Sequence, residues 1–160
     1  MNTELLTLPQ TPDFELQDQL GKSVRLSQFL STGPMLLVFY RGHWCPYCRR
    51  YLSKIQRYLH RFQDYGAQVV AVGPEPPATS LMLSEQLGLE FSLLSDTRGE
   101  LIDAYGTRNR FASAPSLVPH PAVIILDHEG NVRFKSIDRN YKRRTTMRTL
   151  LTRLEELSSG

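Results

Sequence analysis

The sequence predicts an α/β fold: a central mixed β-sheet flanked by helices, with an N-terminal β-hairpin extension. Three observations carry this. Met35-Leu36-Leu37-Val38-Phe39-Tyr40 is apolar without interruption, the mark of a strand buried on both faces. Two more apolar runs, Gln68-Val69-Val70-Ala71-Val72 and Pro121-Ala122-Val123-Ile124-Ile125-Leu126, follow after stretches with helical spacing. The turn Asp127-His128-Glu129-Gly130-Asn131 then returns the chain through Val132 to Ile137, so the last two strands pair antiparallel while the earlier ones need helical crossovers.

The other elements follow in order. Phe14 and Leu16, then Val24 and Leu26, alternate with polar residues about Gly21, which predicts a hairpin against the sheet edge. Ser27 is placed to cap a short turn through Leu30, ended by Gly33-Pro34. A helix begins at about Cys45, with Pro46 at its first position, where a missing N–H costs nothing. Leu52, Ile55, Leu59 and Phe62 form its apolar stripe, Arg49, Arg50, Lys54, Arg57 and Arg61 its polar face, and Gly66 its end. Further helices are expected over 78–87, 99–105 and 145–157, and a short strand over 91–94.

With 160 residues, 41% of them hydrophobic and 22% charged, the chain is expected to form one domain, 1–160, with residues 1–10 a loosely ordered lead-in. A net charge of +3 is a mild bias and does not point to nucleic acid. No stretch approaches the roughly 18 apolar residues of a membrane span, and Met1 to Leu6 lacks a basic, then apolar, leader pattern. The expected location is the cytoplasm, with neither membrane nor nucleic acid as partner.

The chemistry centres on Trp44-Cys45-Pro46-Tyr47-Cys48. These two cysteines are the only ones, and they lie three positions apart. A disulfide closing so short a loop stabilises little, which argues against a structural staple. A zinc site needs four ligands, and His43, His60, His120 and His128 form no second pair at ligand spacing. Burial of both as small core residues is the remaining alternative. Cys45 falls where a buried strand meets a helix N-terminus. Free N–H groups and the helix dipole favour a thiolate there, and Arg41, Arg49 and Arg50 add positive charge. Cys48 continues the apolar stripe and points inward. Cys45 is therefore expected to be the exposed attacking thiol and Cys48 the resolving one. Arg41, Gly42, His43, Trp44, Pro46 and Tyr47 are expected to position substrate or tune the thiol, with Trp44 shielding one side and a plain surface histidine the alternative for His43. Pro121 is the last candidate: a cis-proline there would bring its backbone beside the cysteines, and an ordinary strand-starting proline is the alternative.

Several segments together resemble the peroxiredoxin-like branch of the AhpC/TSA (alkyl hydroperoxide reductase, thiol-specific antioxidant) family. They are Pro12-Asp13-Phe14, Phe39-Tyr40-Arg41-Gly42-His43-Trp44-Cys45-Pro46-Tyr47-Cys48, Leu94-Ser95-Asp96, Tyr105-Gly106, Pro121-Ala122, and Ile137-Asp138 with Tyr141 and Arg144. The resemblance implies a thioredoxin-like fold, peroxide reduction through a sulfenic acid on Cys45, and a cis-Pro121 beside the site. Peroxiredoxins typically carry Pro-x-x-x-Thr/Ser-x-x-Cys; the corresponding residues are Val38 and Gly42. Trp-Cys-x-x-Cys is similar to the thioredoxin arrangement and Cys-Pro-Tyr-Cys to the glutaredoxin one. The expected function is thus a thiol-dependent antioxidant oxidoreductase that reduces hydroperoxides through a dithiol/disulfide cycle. Two alternatives use the same residues: a thioredoxin- or glutaredoxin-like thiol–disulfide oxidoreductase, and a non-enzymatic redox sensor or binding module. No bound cofactor or metal is expected, only an external thiol reductant such as thioredoxin or glutathione; pairing with a second copy is left open.

Overall fold

The computed structural model describes residues 13–110 and 117–158; the expected lead-in over 1–10 lies outside them. The strands are β1 (Glu15–Gln17), β2 (Ser23–Arg25), β3 (Met35–Phe39), β4 (Gln68–Gly73), β5 (Ser92–Ser95), β6 (Ala122–Leu126) and β7 (Val132–Ile137). The helices are α1 (Pro46–Arg57), α2 (Leu59–Gln63), α3 (Pro77–Leu87), α4 (Glu100–Ala104) and α5 (Met147–Ser158), with a short 3₁₀ helix over Leu26–Leu30.

All seven strands join one sheet in the order β2-β1-β5-β4-β3-β6-β7. β3, β4 and β5 run parallel, β6 and β7 antiparallel, and the β1–β2 hairpin extends the β5 edge. The predicted mixed sheet with an N-terminal hairpin is what forms. β3 is central, and all five of its residues are buried. Its side chains alternate between two cores, as strand geometry requires. Leu36, Val38 and then Tyr40 face one layer with Leu52, Ile55, Phe62, Leu150 and Leu154. Met35, Leu37 and Phe39 face the other with Leu101, Ile102 and Tyr105. The uninterrupted apolar run in the sequence is the imprint of these two layers.

Two local expectations are corrected. The helix after the cysteines does not run unbroken to Gly66. Tyr58 leaves helical geometry (φ −102°, ψ 5°), and its N–H is shared between the Lys54 and Ile55 carbonyls. Leu59 and Phe62 stay buried after the break. Ser27 does not cap the turn before Leu30. That turn starts at Leu26, and Ser27 instead donates its hydroxyl and its N–H to the Asp13 carboxylate.

Gly73 ends β4 beneath Tyr40, one of the largest fully buried side chains. A Cβ at Gly73 would lie 2.5 Å from Tyr40 Cζ and under 3 Å from two more ring atoms. The aromatic ring packs against the space left by a hydrogen. Gly73→Ala should lower stability by roughly 1–3 kcal/mol, the usual cost of overpacking a close-packed core. A urea melt checks this; an unchanged midpoint would show that the ring yields freely.

Candidate active site

β3 ends at Phe39, and the chain needs five residues, Tyr40 to Trp44, to turn into α1. The first step stays on the sheet, because Tyr40 N–H bonds the Val72 carbonyl. The turn that follows is tied from both sides. Glu75, in the loop after β4, accepts the His43 N–H at 2.9 Å and also bonds the His43 imidazole Nδ1. Arg49 donates to the His43 carbonyl at 3.1 Å and to Gln86 at 2.9 Å. Cys45 closes the turn by donating its N–H to the Gly42 carbonyl.

Cys45 occupies the N-cap position of α1, and Pro46 follows at the first helical position, as the sequence predicts. The cap is a sulfur. Cys45 Sγ accepts the backbone N–H of Cys48 at 3.4 Å, one of the N–H groups a helix start leaves unpaired. Arg41 Nη1 lies 3.8 Å from the same sulfur. Cys48 Sγ sits one turn on, accepting the Arg41 backbone N–H at 3.4 Å and Arg144 Nη2 at 3.4 Å. The cysteines are not disulfide-bonded.

These contacts split the two thiols. Hydrogen bonding from Cys48, side chain and backbone, holds the Cys45 thiol down to about 5, against the opposing pull of burial; Arg41 and Arg144 add to the lowering. An ordinary cysteine titrates near 8.5. The Cys48 thiol is pushed up, first because its proton is engaged by Cys45 and then by burial. The arrangement favours the charged form on Cys45 and the protonated form on Cys48 beside it.

The expectation that Cys45 is the exposed thiol is overturned. Its relative exposure is 1% and that of Cys48 is 2%. The pair is asymmetric in hydrogen bonding and not in accessibility. Arg41, whose guanidinium lies against Cys45, is itself stacked between Trp44 (4.9 Å) and Tyr141 (4.5 Å). Trp44 is half exposed, and its ring carries the Arg41 guanidinium. Tyr47 meets Tyr141 edge-on at 5.5 Å and carries Arg50 over its ring. Arg49 and Arg50 thus serve the loop and a tyrosine, not the thiolate. Gly42 is needed for another reason: a Cβ there would lie 2.3 Å from the Trp44 indole nitrogen. Pro121 is buried immediately before β6, where Ala122 pairs with Phe39, and its carbonyl accepts the Asp138 N–H at 2.8 Å.

Three participants fell outside the predicted site. Arg144 reaches Cys48 from 96 positions away in the sequence. Tyr141 closes the aromatic stack, and Glu75 anchors the loop. In the sequence Arg144 belongs to the basic run Lys142-Arg143-Arg144, which resembles any solvated face. Among the described residues, no three His, Cys, Asp or Glu side chains gather as a metal site would require.

A model of the AhpC/TSA family matches residues 9–135. The chain belongs to the AhpC/TSA family. Among curated relatives of this AhpC/TSA chain, the thiol-disulfide oxidoreductase ResA of Halalkalibacterium halodurans is 28% identical over 124 residues, 77% of this chain and 64% of that protein. The chloroplastic peroxiredoxin Q of Populus jackii is 28% identical over 122 residues, 76% of this chain and 55% of that protein. The chain therefore aligns with less than two thirds of the length of each. Among solved structures, peroxidoxin BcpB from Mycobacterium tuberculosis superposes with a TM-score of 0.82 at 24% identity, covering 93% of this chain and 96% of that one. AhpC of Enterococcus faecalis superposes at 0.83 with 18% identity, covering 94% and 90%. Both share the thioredoxin-like fold of the AhpC/TSA proteins.

The thiolate can be titrated directly. Absorbance near 240 nm should rise with a midpoint near pH 5, and fall away as acid protonates Cys45. Cys48→Ala removes the proton that Cys45 leans on and should move the midpoint up by one or more pH units, on the order expected for a lost charge-stabilising hydrogen bond. Arg41→Gln should move it up by less. A wild-type midpoint near 8.5 would contradict the hydrogen-bonding account.

Proposed function

We propose that this protein is a thiol-dependent oxidoreductase that reduces hydroperoxides with Cys45 and regenerates itself through a Cys45–Cys48 disulfide. The observation that supports it best is the split pair: a thiolate held by the helix N-terminus, with a protonated thiol one turn away. The Cys45 thiolate attacks the distal peroxide oxygen. The O–O bond breaks, the alcohol or water leaves with a proton, and Cys45 becomes a sulfenic acid. Cys48 then attacks the Cys45 sulfur, its proton departs with hydroxide as water, and the disulfide forms. Two electrons from an external thiol system restore the dithiol. Such a cycle belongs in a reducing compartment, the cytoplasm.

A second reading is favoured by a specific observation. Val38 and Gly42 stand where peroxiredoxins carry their proline and hydroxyl residue. Val38 is hydrogen-bonded in register between Ala71 and Val123, and a proline in so central a strand would break the ladder. Without a hydroxyl at 42 to align a peroxide, the pair is also suited to exchange with disulfides, as in a thiol–disulfide oxidoreductase. Pro121, at the start of β6, is assigned to positioning the substrate in either reading.

One assay decides between them. Peroxide consumption is followed with dithiothreitol, thioredoxin and glutathione as donors, alongside insulin-disulfide reduction. The first reading expects peroxide turnover that Cys45→Ser abolishes, and a trapped sulfenate or mixed disulfide on Cys45 in Cys48→Ser. Rapid insulin reduction without peroxide turnover would replace it with the second.

A further inference from the structure

A separate concavity opens beside the cysteines, between α1 and the segment that leads into α5. Its volume is about 490 Å³, within the roughly 300–1,000 Å³ of small-molecule sites. Arg50, Lys54, Arg57, Lys142, Arg144 and Arg148 line it, with tyrosines between them and no carboxylate among the described lining residues. Four arginines outside the pocket, Arg25, Arg108, Arg133 and Arg153, each pair with an aspartate or glutamate. Among the described residues none of the six pocket cations has such a partner. Like charges gathered around one cavity repel, and an anionic occupant relieves them.

Two features narrow the occupant. Arg50 and Arg57 stand seven positions apart on α1, so the positive wall extends for roughly 10 Å at 1.5 Å per residue. That is about the length of an extended tripeptide at roughly 3.5 Å per residue. A single carboxylate would leave most of this charge unmet. Arg144 supplies the second feature. It lines the cavity and also donates to Cys48 Sγ at 3.4 Å, so one guanidinium joins the pocket to the redox pair.

We propose that this pocket binds the reductant, a small peptide thiol of the glutathione type with a carboxylate at each end. The inference rests on the thiol-dependent cycle above and names its electron donor. The first peptide thiolate forms a bond to the Cys48 sulfur of the disulfide. The Cys45–Cys48 bond breaks, and its electron pair leaves on Cys45, the better leaving thiolate. A second peptide thiolate bonds the sulfur of the first, the bond to Cys48 breaks, and Cys48 takes a proton. Two peptide thiols thereby yield one peptide disulfide, one Cys48 thiol, one Cys45 thiolate and one released proton.

The test has two arms on the full chain. S-Methylglutathione, which keeps the carboxylates and lacks the thiol, is titrated by calorimetry. Turnover of hydrogen peroxide is measured with glutathione and with uncharged dithiothreitol. Lys54 and Arg148 are exposed, so Lys54→Gln/Arg148→Gln does not disturb the core. The double variant should weaken S-methylglutathione binding roughly tenfold and lower the glutathione-to-dithiothreitol ratio of kcat/KM to a similar extent. Binding and ratio equal to wild type would overturn the assignment. So would binding of laurate in place of S-methylglutathione, which would give the pocket to a fatty-acid carboxylate. If neither thiol supports turnover, the hydroperoxide-reductase reading fails, and the calorimetric arm still decides the pocket.

Discussion

The site depends on a sulfur doing the work of a helix cap. A helix start leaves several N–H groups without partners, and an oxygen from serine, threonine or aspartate usually meets one of them. Here Cys45 does so, accepting the Cys48 N–H. The arrangement serves fold and chemistry together. The helix gains an acceptor, and the sulfur gains a donor that rewards its negative charge. Stabilising a thiolate also stabilises the reduced form of a dithiol.

The sheet decides where that cap can form. β3 is hydrogen-bonded on both edges, parallel to β4 and antiparallel to β6. Its end is therefore a fixed point. Tyr40 remains on the ladder and is buried against Gly73, so the five-residue turn starts from a rigid base. Glu75 and Arg49 tie down the remainder. A turn closed by side chains from two other elements holds Arg41 against both sulfurs, through its guanidinium to Cys45 and its N–H to Cys48.

The sequence reveals the parts of this that are periodic or local. Continuous apolarity at 35–40 marks the central strand, and the stripe 48, 52, 55, 59, 62 marks the buried side of the helix. The order strand, cysteine, proline, helix places Cys45 at a positive helix end. What stays hidden depends on chain segments that meet only in the fold. Arg144 and Tyr141 reach the site from far along the chain; the family resemblance marks both, but the basic run by itself gives no sign of which member turns inward. The burial of Cys45 is hidden for the same reason. A thiol at the outer end of a helix reads as exposed, whereas in the fold Cys45 is buried with the Arg41 guanidinium against its sulfur. The break at Tyr58 has no glycine or proline to announce it.

Gly42 and Trp44 carry a consequence for how this site can vary. The indole fills the space a side chain at 42 would need. A hydroxyl-bearing residue at 42 and a tryptophan at 44 in this rotamer are mutually exclusive. A side chain introduced at 42 toward the Thr/Ser-x-x-Cys pattern therefore requires the half-exposed Trp44 indole to swing aside or be replaced.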